Sequence, residues 1–329
     1  MFGKKYLLAD IGGTNTRLAI VNDKFEFIKK SVHKNSELIN INDTIKSFVA
    51  NESIHIACLA VAGPLNADRT NVRLTNYNWN INSLELYKNL KSKIILLNDL
   101  EALGFAIDNI KNEQYISLTD KTVDFSGTIS VIGAGTGLGM SILYPLKKNN
   151  ITKHYPLLSE GCHSSIFFNP ESKLEMDLYK YLRNKKITIE AESLVSGRGI
   201  DTIYNFLLTK KIKHNDKLMK EIKNSKDTPA LITKYALQDK DALCIKTIEL
   251  FILFYARISR DLALKSLCTT LVIGGGIAPK ILPAMKEGFL EAFLTHDNIE
   301  ARKLLEDMSL IVLTDPDLTI YGCFRALKA

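Results

Sequence analysis

Asp10-Ile11-Gly12-Gly13-Thr14-Asn15-Thr16-Arg17 stands between the apolar runs Tyr6-Leu7-Leu8-Ala9 and Leu18-Ala19-Ile20-Val21. The pattern predicts a short buried strand, a glycine turn and a returning strand. Glycines permit a turn that a Cβ would strain, and they let backbone N–H groups approach an anion. Thr14 and Asn15 add side-chain donors, and Asp10 is a candidate ligand for Mg²⁺ through water. A strand follows and no Gly-Lys-Ser/Thr ending is present, so this is not a Walker A loop. Taken alone, the stretch also reads as an ordinary Gly-Gly hairpin.

The same arrangement recurs in the middle of the chain. Gly133-Ala134-Gly135-Thr136-Gly137-Leu138-Gly139 lies between strand-like segments at 128–132 and 140–144. Two strand–glycine–strand units point to two related α/β domains facing one cleft. The position five after Gly133 is Leu138 and a strand follows, so this is not the dinucleotide fingerprint. A third loop, Gly274-Gly275-Gly276, follows Leu271-Val272-Ile273 and precedes a helix expected over 279–294. Its amides can reach phosphate or adenosine. Each loop alone is explained by a tight turn or by close packing, whereas three together point to a nucleotide.

Around these loops the periodicity predicts strands at 5–9, 17–21 and 25–31, and a helix near 37–50. Two continuous apolar runs, Ile54-His55-Ile56-Ala57-Cys58-Leu59-Ala60-Val61 and Lys93-Ile94-Ile95-Leu96-Leu97, read as buried parallel strands. From about residue 171 the spacing turns helical, with segments at 172–184, 199–211, 215–223, 228–238 and 240–266. A helix at 299–306, a strand at 310–313 and a closing helix at 317–327 complete the chain.

Composition narrows the classes of function. The 329 residues are 46% hydrophobic and 24% charged, as in a globular protein of roughly two domains. The net charge of +7 comes from scattered lysines, which read as a solvated surface and not as a nucleic-acid track. Five cysteines without a Cys-x-x-Cys pair give neither a disulfide framework nor a zinc spacing, and they fit a reducing cytoplasm. No apolar run reaches the ~18 residues of a membrane span. The first strand is expected near residue 5, which leaves no room for a signal peptide or for a preceding helix-turn-helix.

Further polar groups are candidates for an acceptor substrate. Asn98-Asp99 closes one apolar run and opens Leu100-Glu101-Ala102-Leu103. Asn and Asp are preferred helix caps, and the same position points from a sheet's carboxyl edge towards bound ligands. A carboxylate there can take a proton from a hydroxyl. Glu160-Gly161-Cys162-His163 is a polar turn, and Glu192 precedes Ser193-Leu194-Val195-Ser196-Gly197 at a helix entry. The Cys-His pair invites a metal or thiol reading, but the sequence shows neither a base-and-orienter partner nor a second ligand pair. Carboxylates, an amide and an imidazole together suit a polyhydroxylated ligand, whose hydroxyls both donate and accept.

With these motifs in this order from residue 9 to 280, the chain resembles the bacterial-type glucokinase family of the actin/hexokinase/Hsp70 ATPase superfold. The resemblance implies two actin-like/ribonuclease H-like α/β domains with an interdomain cleft. The small domain is expected at 1–107 plus 316–329, and the large one at 108–315 with helical insertions. It implies ATP-dependent phosphorylation of glucose at the entry to glycolysis, with Mg²⁺, in a cytoplasmic homodimer that binds neither nucleic acid nor membrane. Asn98, Asp99, Glu160, His163 and Glu192 match the glucose ligands, and Asp99 matches the base for the 6-hydroxyl. Ala9, Asp10, Ile11, Gly12, Gly13 and Thr14 match one phosphate hairpin, with Asp10 on Mg²⁺. Gly133, Gly135, Thr136 and Gly137 match the other, and Gly274, Gly275 and Gly276 the adenosine side. Cys162 stands where the family has a second glycine, Ser193 where a basic residue is common, and Lys280 where arginine is frequent. A kinase for fructose or mannose and a non-catalytic sugar-binding regulator are the alternative readings.

Overall fold

The structure, a computed structural model, describes residues 3–74, 77–148 and 151–328. The chain divides into two compact units. The first comprises Met1–Lys111, Leu146–Leu157 and Asp315–Ala329. The second comprises Asn112–Pro145 and Leu158–Thr314. Residues 146–157, which the sequence reading placed within 108–315, thus group with the first unit.

In the first unit, β1 (Tyr6–Ile11), β2 (Asn15–Val21) and β3 (Phe27–Lys34) form an antiparallel meander. Helix α1 (Ile41–Val49) leads to β4 (Ile56–Val61), which lies parallel to β1. A short hairpin, β5 (Asn71–Leu74) and β6 (Trp79–Asn82), and helix α2 (Ser83–Leu90) precede β7 (Lys93–Asn98). Strand β7 lies parallel to β4, and the sheet order is β3-β2-β1-β4-β7. Helix α3 (Asp99–Ile107) follows without a break. All six residues of β1 are buried, because both faces of the sheet are covered. Alternation puts Leu7, Ala9 and Ile11 into the cluster with Ile41, Ile45 and Leu86. Tyr6 and Leu8 enter the opposite cluster with Ala102, Ile320 and Phe324. Asp10 shares that second face.

The second unit repeats the plan. After β8 (Tyr115–Ser117), β9 (Ile129–Ala134) pairs antiparallel with β10 (Leu138–Lys148), whose other neighbour is β11 (Ile151–Ser159). Five helices follow: α4 (Lys173–Asn184), α5 (Gly197–Leu207), α6 (Asp216–Lys223), α7 (Thr228–Leu237) and α8 (Ala242–Ser266). Strand β12 (Thr270–Gly274) lies parallel to β9; helices α9 (Ala278–Leu294) and α10 (Ile299–Asp307) then lead to β13 (Ser309–Leu313), parallel to β12. The order β11-β10-β9-β12-β13 reproduces β3-β2-β1-β4-β7, and the pairings from β10 to β13 repeat the directions of those from β2 to β7, with β8 added at the edge. The two glycine-hairpin motifs are therefore the first turns of two copies of one ribonuclease H-like sheet. The second core is larger because α8 runs through it, burying Phe251, Phe254 and Tyr255 against Phe289 and Phe293.

The chain ends in α11 (Leu318–Ala326), which packs on α3 within the first unit. Gly322 sits at the crossing, where an added Cβ would overlap the carbonyl oxygen of Ala102. Gly322→Ala should therefore destabilise the first unit by about 1–3 kcal/mol, the usual cost of overpacking, as read by denaturant unfolding.

Candidate active site

In the first unit, register aligns Ile11 with Val61 and Val61 with Asn98, so β1, β4 and β7 end at one sheet edge. Two strand spacings separate the ends of β1 and β7, about 10 Å. The turn after β1 closes through the Gly12 amide on the Asn15 carbonyl at 3.0 Å. Asn35, fully buried, clamps this turn from the strand beyond. Its Nδ2 donates to Gly12 O at 2.8 Å, its amide to Thr14 O at 2.8 Å, and its Oδ1 accepts from Thr16 Oγ1 at 2.8 Å. The sequence reading missed Asn35. A lone Asn after a strand has the appearance of a turn residue, and only the β2–β3 pairing brings it back to the turn.

Asp10 faces Arg17 across the β1–β2 pair, with an Nη1–Oδ2 separation of 2.9 Å. Burial pushes the Asp10 carboxyl up, Arg17 opposes this, and the charge of Asp317 adds to the rise. At the end of β7, Asn98 caps α3: its Oδ1 accepts from the Leu100 amide at 3.0 Å. Glu101 Oε2 accepts from the Asn98 amide at 3.2 Å and is itself paired with Arg69. Capping thus describes Asn98, whereas Asp99 is the first helical residue, with Oδ1 on the Leu100 amide at 3.0 Å. Asp99 has no cationic partner at ion-pair distance among the described residues. Burial, and then the charge of Asp10, push its carboxyl up to about 6.

In the second unit, Gly133 of β9 is in register with Gly274 of β12, which brings two glycine loops together. The Gly135 amide bonds Gly137 O at 2.8 Å, and the Ile277 amide bonds Ala134 O at 3.2 Å. Gly275 takes φ +80°, and a Cβ on it would overlap the Ala134 carbonyl, so only glycine lets the two loops approach. Beyond Gly135 and Gly276 the space a Cβ would enter is open.

Glu192 is tied to the first of these loops. Its Oε2 accepts from the Leu138 amide at 2.9 Å and its Oε1 from Arg198 Nη2 at 2.6 Å. Its carbonyl accepts from the hydroxyl of Ser196, which caps α5. The turn at Gly161–His163 lies against the turn at Ala191–Ser193, joined by the Ala191 amide on Ser164 O at 3.0 Å. This gathers Glu160, Cys162 and His163 with Glu190, whose Oε2 is 3.2 Å from His163 Nδ1. Glu190 and Arg198 carried no motif in the sequence. Cys162 occupies this helical turn without a left-handed φ, so its Cβ is accommodated.

The site residues expected from sequence fall into two sets: Asp10, Asn98 and Asp99 at the sheet edge of the first unit, and two glycine loops, Glu160, His163 and Glu192 in the second. Buried carboxylates beside glycine turns can accept a hydroxyl proton next to backbone donors for phosphate.

Comparison with known proteins gives the same answer. The Glucokinase family model matches residues 7–329. The glucokinase of Nostoc punctiforme is 32% identical over 339 residues, spanning 96% of this chain and 96% of its own. The glucokinase of Chelativorans sp. is 30% identical over 322 residues, spanning 96% of this chain and 89% of its own. The solved glucokinase from an Antarctic psychrotroph shares 25% identity at a TM-score of 0.74, over 99% of both chains. The glucokinase from Balamuthia mandrillaris, solved in complex with glucose, has 24% identity and a TM-score of 0.81, covering 99% of this chain and 94% of its own, a likeness of fold. Matched over nearly its whole length, the chain belongs to the glucokinase family.

Proposed function

We propose that this chain transfers the γ-phosphoryl group of ATP to the 6-hydroxyl of glucose, with Mg²⁺, acting in the cytoplasm as a homodimer. The observation that carries the reading is Asp99: a carboxylate at a sheet edge without a cationic partner among the described residues, raised to about 6, where it remains ionised at neutral pH yet is a stronger base than an ordinary aspartate. Asn98, Asp99, Glu160, His163 and Glu192 are assigned to the sugar. The cytoplasmic reading is supported by five free, buried cysteines and by the finding that no helix of the described residues is long and apolar enough to cross a membrane.

Phosphoryl transfer asks mainly for positioning and for dispersal of charge. An alcohol is a far weaker acid than a carboxylic acid, so Asp99 orients the 6-hydroxyl first and takes its proton late, as the new O–P bond forms. Apart from the Gly12, Ala134 and Gly135 amides, which are spent within the fold, the turns at 12–14 and 133–137 are the proposed phosphate contacts, and the 274–276 loop the adenosine contact. The open space beyond Gly135 and Gly276 fits a ligand brought close to main chain. When bound, Mg²⁺ supplies positive charge to the phosphates. Asp10 fits it, since its buried carboxylate shares its field with Asp99 and Asp317 and, among the described residues, pairs with Arg17 alone.

Asn35→Ala should loosen the first turn without touching a sugar group. The expected result is a rise of about fivefold in KM for ATP, from roughly 1 kcal/mol of lost hydrogen bonding, with KM for glucose unchanged. The reading as a whole is tested by turnover with ATP across glucose, mannose, fructose, N-acetylglucosamine and no sugar. Glucose should give the highest kcat/KM. ADP release that ignores the sugar would overturn the reading.

A further inference from the structure

We propose that Glu160, Cys162 and His163, with Glu190 holding the His163 ring from its other nitrogen, form a site for a thiophilic divalent cation such as Zn²⁺, and that its occupation excludes the sugar. The first half stands on the geometry of the second unit alone. The second half rests on the assignment of Glu160 and His163 to glucose.

One ligand atom from each of Glu160, Cys162 and His163 lies within 4.8 Å of the others. The Cys162 Sγ to Glu160 Oε2 distance is 3.9 Å, and His163 Nε2 is 3.9 Å from the same oxygen. A tetrahedral zinc site with bonds near 2.0–2.3 Å sets ligand atoms about 3.4–3.8 Å apart. Two of the three pairs therefore need to close by a few tenths of an ångström, and the third by up to about 1 Å. The freedom to do so is present, since the side chains of Glu160 and His163 are 74% and 54% exposed. Glu190, on the facing turn, lies 3.2 Å from the other ring nitrogen, Nδ1, where a carboxylate fixes the tautomer that leaves Nε2 for the metal; water completes the fourth position. Sulfur, imidazole and carboxylate together are a zinc donor set, not one for Mg²⁺ or Ca²⁺.

The local field also calls for a cation. Among the described residues, neither Glu160 nor Glu190 pairs with a lysine or arginine; each pairs with His163 only. The Sγ–metal bond forms as the thiol proton leaves to solvent.

Co²⁺ is the probe, titrated into the full-length protein after treatment with a chelator. The expected result is a thiolate-to-cobalt absorption band that saturates at one equivalent and is bleached by Zn²⁺. Cys162→Ala should abolish the band, and His163→Ala, at an exposed position, should weaken Co²⁺ binding about tenfold or more. Circular dichroism reports whether each variant is folded. Absence of the band in the parent protein, or an unchanged band in both folded variants, overturns the metal site. Saturating glucose should raise the apparent Kd for Co²⁺ about tenfold. A band that glucose leaves unmoved overturns the exclusion of sugar while the metal site stands. Absence of the band from parent protein that turns over glucose overturns the metal site while the sugar assignment stands.

Discussion

Asp99→Asn lowers kcat by about 10²–10⁴-fold and at the same time makes the protein more stable at pH 8. The first effect follows from removal of the proposed base while an isosteric amide keeps the α3 start intact. The second follows from the electrostatics. The Asp99 carboxyl titrates at about 6 in the folded chain against an ordinary 3.8. The folded state thus favours the protonated acid. Its stabilising contribution is complete below about pH 3.8 and is lost as pH rises through about 6. Above that range the ionised group costs up to about 3 kcal/mol relative to a neutral one, an upper figure because Asp99 keeps some contact with water. Asparagine removes this cost, so the variant should melt several degrees higher at pH 8, and the gap should close towards pH 4. In the parent protein, kcat/KM should fall about tenfold per pH unit below 6 as the base is protonated. Near-normal turnover by Asp99→Asn would rule out the base. Loss of turnover without the gain in stability would contradict the account of why its carboxyl is raised.

Glu192→Ala should lower kcat/KM by about 10–100-fold, with KM rising for both substrates. Both carboxylate oxygens are engaged, one by the Leu138 amide and one by Arg198. The group is assigned to glucose, yet it also holds the turn at 135–137, one of the two proposed phosphate turns. Its removal leaves a backbone donor and a guanidinium without their acceptor, which is worth about 1–3 kcal/mol. Glu160→Ala makes the contrast. Its side chain is 74% exposed, and it should raise KM for glucose alone. Glu192→Gln, which keeps an acceptor for the Leu138 amide, should fall between them. An unchanged KM for ATP in Glu192→Ala would show that the tie to the glycine turn has no part in nucleotide binding.

How much of this was legible in the sequence depends on the kind of signal. Strands β1, β4 and β12 are buried on both faces, and β7 at Leu96 and Leu97, so they appear as unbroken apolar runs. The duplicated topology was hinted at by two glycine turns and became plain only from the strand orders, because the helices between the strands differ in number and length. Strand β3 is an exposed edge strand, with Phe27, Lys29 and Lys30 in solvent, and its sequence lacks a clean alternation. The β5–β6 hairpin is only four residues a side and went unread. In the candidate site, Asp10, Asn98, Asp99 and the glycines stood out because turn chemistry concentrates unusual residues at strand ends. Asn35, Glu190 and Arg198 did not, since each is an ordinary polar residue whose partner is distant in sequence or sits on another turn. Glu190 reaches the His163 ring from a segment nearly thirty residues away, a contact that spacing in the sequence does not show.

The most direct test of the central claim is the product itself: glucose and ATP are incubated with the protein and the phosphate is followed by ³¹P spectroscopy. The expected result is glucose 6-phosphate formed in step with ADP, one for one. Inorganic phosphate in place of sugar phosphate, or phosphate on another hydroxyl, would contradict it.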